Sequence, residues 1–154
     1  MRTQRGVTLV ELAVVTSIII ILLGLITISL VNSQKSASLS SIEEILLVDL
    51  KQQQLKSMIG DTEGREASDS YGIHFDSNRY VLFHGTNYSS SDTSNSIVNL
   101  ESNMQFNNSN FNIVFSKLSG TTSATTIELQ DNTNSKFKRI HLNALGVVTQ
   151  IESL

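Results

Sequence analysis

Residues Gly6 to Val31 read GVTLVELAVVTSIIIILLGLITISLV, and the reading of the whole chain turns on them. Leu12 to Val31 carry no charge, and only Thr16, Ser17, Gly24, Thr27 and Ser29 interrupt the apolar run. A helix of about 20 residues rises about 30 Å, the thickness of a bilayer hydrocarbon core. Ser and Thr hydroxyls bond back to helix carbonyls and so tolerate that setting. Arg2 and Arg5 precede the run. Basic residues stay on the cytoplasmic side, which places Met1 inside and the remainder outside the cytoplasm. An ordinary secretory signal has an apolar stretch of about 7–15 residues followed by small residues. This run is longer, although Ser36-Ala37-Ser38 offers a poor cleavage site. A plain single-pass anchor is a further reading.

Glu11 separates these readings. A carboxylate at the centre of a spanning helix costs about 2.5–3.5 kcal/mol, and less near the interface. A generic anchor has no use for it, and its blandest role is a hydrated group at the headgroup boundary. The stretch Gly6-Val7-Thr8-Leu9-Val10-Glu11-Leu12, with basic residues before it and an apolar helix after it, resembles the prepilin signature of the type IV pilin-like and pseudopilin family. The resemblance covers about residues 1–35. Val7 stands where the family usually has Phe, and the chain lacks the helix-bending proline of many members.

The resemblance implies chemistry done to this chain. A prepilin peptidase would cut between Gly6 and Val7 and N-methylate the new Val7 amine. Gly6, without a Cβ, lets a protease approach the backbone closely. Losing residues 1–6 takes the 11 basic side chains to nine, against 14 acidic ones. Glu11 of an incoming subunit would pair with the Val7 amine of a subunit already in place. In low dielectric such a pair is strongly attractive and an unpaired carboxylate is penalised, which sets register. Gly24 would permit close helix approach, or is simply a tolerated glycine. The implied partners are other pilin or pseudopilin subunits, the peptidase, the inner-membrane assembly platform and membrane lipid. The implied location is the cytoplasmic (inner) membrane, then an extracytoplasmic filament.

Beyond Val31 the spacing predicts that the helix continues. Ile42, Leu46, Leu50, Leu55, Met58 and Ile59 read as a core-facing stripe. Ser41 with Glu44 reads as a capping box, and Gly60 and Gly64 as the stop. Strands follow: Tyr71–Phe75 and Tyr80–Phe83 around the turn Asp76–Arg79, then Ile97–Leu100, Phe111–Phe115, Thr126–Leu129, Phe137–Leu142 and Val147–Ile151, with a turn at Asn143–Gly146. Thr86–Ser96 reads as a polar loop, a solvated one or, as the alternative, a surface contact loop. The expected fold class is α+β: a long N-terminal helix, half transmembrane and half amphipathic, packed on an antiparallel β-sheet, the pilin-like fold. The expected organisation is a leader at 1–6, a transmembrane and filament-core helix at 7–31, an amphipathic continuation at 32–60 and a β-rich globular domain at 61–154. YGIHFDSNRYVLF and IHLNALGVV are similar to the H-type (GspH/FimT-like) minor pseudopilin domain.

Composition excludes several chemistries. The chain has 154 residues, no cysteine, no proline and a net charge of −3. Disulfides, thiol nucleophiles and Cys-ligated zinc are therefore absent. The balance gives no broad nucleic-acid face. Lys136, Lys138 and Arg139, beside Phe137 and His141, form the lone basic cluster, with Lys136 and Lys138 on one strand face. That cluster is a candidate ligand or DNA contact, against the blander reading of a solvated or edge-protecting strand face. His74, His84 and His141 show no metal-ligand spacing and read as strand-surface residues. There is no nucleophile elbow and no phosphate loop. The reading is a structural minor pilin or pseudopilin of a type IV pilus-like or type II secretion filament, not an enzyme, with no cofactor and no metal. The alternatives are a tip or DNA-uptake (competence) pilin and an unrelated anchored domain.

Overall fold

The computed structural model describes residues 9–133 and 135–154, with the side chains of 24–37 left aside. The elements are α1 (Leu9–Ile59), β1 (Tyr71–Phe75), β2 (Arg79–His84), β3 (Ser96–Asn99), β4 (Met104–Phe106), β5 (Phe111–Phe115), β6 (Thr125–Asp131), β7 (Lys136–Leu142) and β8 (Val148–Ser153). The chain divides into two compact units, Met1–Ser38 and Leu39–Leu154.

In the first unit, residues 9–23 are helical and their side chains exposed. The hydroxyls of Thr16 and Ser17 both donate to the Ala13 carbonyl, at 3.0 and 2.8 Å, the back-bonding that lets polar residues sit in an apolar helix.

The second unit contains two four-stranded antiparallel sheets, ordered β3-β2-β1-β5 and β4-β6-β7-β8. This corrects the expected architecture of one long, half-transmembrane helix on a single sheet. The second unit is mostly β, and the described helical side chains fall in two stretches, 9–23 and 38–59. Among the described residues no helix is long and apolar enough to cross a membrane. The physical reason for two sheets lies in the strand faces. Ile73, Phe75, Ile113 and Phe115 of the first sheet are buried in one core with Ile127, Leu129, Ile140 and Leu142 of the second, so residues of both sheets share that core. Phe75 meets Phe106 edge-to-face at 5.1 Å and stacks on Phe111 at 4.8 Å. Strand β4, which carries Phe106, has no counterpart in the sequence reading.

The helical stretch of this unit buries Leu39, Glu43, Leu46, Leu50, Gln53 and Ser57, spaced four and three apart. The expected stripe is therefore half corrected. Leu46 and Leu50 are in the core, but Leu55, Met58 and Ile59 are exposed. From Leu50 the helical period leads to the buried polar residues Gln53 and Ser57, and Ser57 finds a partner there. Ser57 Oγ donates to the Phe115 carbonyl at 2.6 Å. The helix ends in a Schellman cap: Asp61 N–H donates to Lys56 O at 3.0 Å and Gly60 N–H to Ser57 O at 3.3 Å. Gly60 takes the left-handed φ of 67° that this cap requires. In β1 a Cβ on Gly72 would lie 2.6 Å from the Phe83 ring and 2.7 Å from the Ile113 carbonyl, so only glycine fits.

Candidate functional site

Gly6 and Val7, the expected cleavage and methylation positions, lie outside the described residues, as does the packing around Gly24. Glu11 is described. It sits in the first turn of α1, where the helix dipole favours a carboxylate, and it is exposed. Around it Leu9, Val10, Leu12 and Val14 keep more than half of their surface in the open. Leu9, Ala13, Ser17 and Ile21 help to line one shallow apolar hollow along this stretch. The geometry is that of an exposed apolar helix flank with one acidic group near its start.

The basic cluster on β7 is divided by the strand's two faces. Lys138 lies on the face that carries buried Ile140 and Leu142, and its Nζ meets Glu43 Oε2 at 2.8 Å. Both groups are largely buried, so the pair bolts the helix to the second sheet. Arg139 points to the other face. Its Nε donates to Glu128 at 2.8 Å and its Nη1 to Glu152 at 3.1 Å. Hydrogen bonds to those two carboxylates hold the guanidinium above its ordinary pKa. Lys136 is exposed at the start of the strand. Lys136 and Lys138 do share a face, but Lys138 and Arg139 are engaged within the fold and do not form one open cationic patch.

The histidines are less superficial than their strand positions suggest. His74 is buried in β1, with Nδ1 2.7 Å from Asn112 Oδ1 and Nε2 3.2 Å from Asp76 Oδ1. Arg79 clamps the other oxygen of Asp76 at 2.6 Å. That bond, with the His74 contact, holds the Asp76 carboxyl below the usual range. The Tyr88 ring stacks on His74 at 4.0 Å and meets Phe83 at 5.7 Å. His84 Nε2 lies 3.1 Å from Asp92, and His84 Nδ1 3.5 Å from Asp69. The polar 86–95 loop is thus tied to β1 and β2 at Tyr88 and Asp92, where the sequence favours a plain solvated loop. The one signal for this is an aromatic residue inside a Ser/Asn run. Beside the tie, a polar cleft of about 250 Å³ opens between the helix and β2, lined by Gln53, Lys56, Tyr71 and His84 among others. Its Lys56 and Glu63 are paired at 2.6 Å, and Arg65 also meets Glu63 at 3.1 Å.

No family model matches the chain, and no curated protein or solved structure matches it.

Proposed function

We propose that this chain is a structural subunit of a type IV pilus-like or pseudopilus filament, cut between Gly6 and Val7 and assembled through its N-terminal segment. The observation that carries the reading is the order of residues 2–31: basic residues, glycine, Val-Thr-Leu, a glutamate, then an uncharged apolar run. The exposed apolar side chains of residues 9–23 support it, because contiguous apolar surface of this kind calls for cover by lipid or protein. The apolar run continues in sequence to Val31, past the described side chains. In this reading the cytoplasmic membrane holds the run before assembly and neighbouring subunits cover it afterwards. The prepilin peptidase and the assembly platform are the partners that act on it. Glu11 is the register group, pairing with the Val7 amine of a neighbour. The reading gives the chain no catalytic step. A DNA-uptake role through Lys136, Lys138 and Arg139 is less favoured, because Lys138 and Arg139 are held in internal ion pairs.

The test is incorporation of Glu11→Ala and Glu11→Gln variants into sheared filaments in a strain that makes them. Both variants should be cleaved normally and be depleted from the filament fraction. Full incorporation of Glu11→Ala would overturn the role given to Glu11.

A further inference from the structure

The second sheet ends in two very different edges. On the β4 side the backbone is closed. Met104 N–H donates to Glu101 O at 2.9 Å and Phe106 N–H to Ser77 O at 2.8 Å. Where β6 runs on beyond β4, the side-chain amide of Asn108 stands in for a strand. It accepts from Glu128 N–H at 2.9 Å and donates to the Thr126 carbonyl. Such devices are how sheets prevent edge-to-edge pairing.

Among the described residues the β8 side shows no such backbone cover. β8 is the last strand of the sheet, and no described strand pairs with its outer edge. It contains neither lysine nor proline. Its one charge, Glu152, is turned to Arg139 of the neighbouring strand at 3.1 Å. Ile151 pairs with buried Ile140, so it lies on the core face, yet it keeps 39% of its surface exposed, with no described strand beyond it. A groove of about 330 Å³, lined by Leu47, Leu50, Val148 and Ile151 together with Lys51 and Gln54, runs beside this edge. The core of the second sheet is open on the β8 side.

We infer that β8 pairs antiparallel with β8 of a second copy of this chain, joining the two second sheets across a two-fold axis. One open edge and one closed edge exclude head-to-tail stacking of this sheet, which needs both, and leave isologous pairing. Residues facing across an antiparallel pair lie on the same sheet face, so a two-fold register centres on a residue and not between two. Centring on Ile151 sets Ile151 against Ile151 over the groove and Gln150 against Glu152 on the outer face, a hydrogen-bonding pair. Centring on Gln150 instead sets Ile151 against Thr149, beside the irregularity at His141/Leu142, and leaves the apolar groove unfilled. The first register is the one the surface fits. The contact is a strand pair plus a shallow groove, so it belongs to the weak, concentration-dependent class of interface. It involves the second unit alone and does not rest on the filament reading.

The chain has no cysteine, so single-cysteine variants report the register directly. Full-length Ile151→Cys in detergent should form a disulfide-linked dimer under mild oxidation. Asn99→Cys, on the β3 edge of the other sheet, should form several-fold less. Equal trapping of the two would overturn the proposal. As a measurement on the unaltered protein, amide hydrogen exchange in β8 should slow as concentration rises, while exchange in β3 stays constant. Exchange in β8 that does not depend on concentration would also overturn it.

Discussion

Lys138→Met should be among the most costly single changes at a charged residue in the second unit. It leaves Glu43, 8% exposed on the buried face of the helix, without the ammonium now 2.8 Å from its carboxylate. Removing one partner of a fully buried pair costs about 3–5 kcal/mol. The Lys138 side chain retains 18% exposure, so water can partly answer the stranded carboxylate and about 2–3 kcal/mol is the expected loss. Replacing both partners, with Glu43→Leu beside Lys138→Met, exchanges the pair for apolar contact and should come within about 1 kcal/mol of the parent. Urea unfolding of the full chain in detergent, followed by tyrosine fluorescence and far-ultraviolet circular dichroism, measures all four corners of the cycle. A coupling of about 2 kcal/mol between the two sites is the expected result. A Lys138→Met loss below about 0.5 kcal/mol, or a double variant that costs the sum of the two singles, would refute the claim that this pair joins helix to sheet.

Leu46→Ala should lose about 2–5 kcal/mol in the same unfolding assay, because Leu46 is fully buried, whereas Leu55→Ala, at a site 57% exposed, should change little. Tyr80 is buried and donates to Asp49 at 2.6 Å; burial first, then the neighbouring carboxylate, raises its phenol well above the ordinary value near 10. A raised folded-state pKa contributes stability that is complete below the unfolded value and is lost as pH rises. Unfolding free energy should therefore fall above about pH 10, by up to about 1.4 kcal/mol per pH unit from this residue, and Tyr80→Phe should flatten that fall. Asp76 behaves oppositely. Its depressed carboxyl contributes stability above the ordinary value near 4 and loses it as pH drops, so Asp76→Asn should make the acid limb of a stability-pH profile less steep.

The sequence announces most local structure and little of how the pieces meet. Seven of the strands follow from runs such as YGIHF and from turn residues such as Asn143, whose Oδ1 accepts from the backbone of Leu145 and Val147. The helix stop at Gly60 is likewise a local matter of a residue that adopts positive φ. The partition into two sheets is not local. It depends on the chain passing through Met104–Phe106, a three-residue strand whose flanks of Ser and Asn read as loop. The core stripe fails after Leu50 because hydrophobicity alone ranks Leu55 and Met58 above Gln53 and Ser57. The hydroxyl of Ser57 is buried against a carbonyl 58 positions away in sequence. The basic cluster on β7 is legible as composition, but its partners Glu43, Glu128 and Glu152 come from three other elements that only the fold brings together.

The most direct test of the proposed function is the intact mass of the full-length protein expressed with and without a prepilin peptidase. The account predicts loss of the six residues MRTQRG and gain of one methyl group on Val7, only when the peptidase is present. A chain that stays uncut, or one cut near Ala37 regardless of the peptidase, would contradict it and leave Glu11 as an ordinary helix-terminal carboxylate.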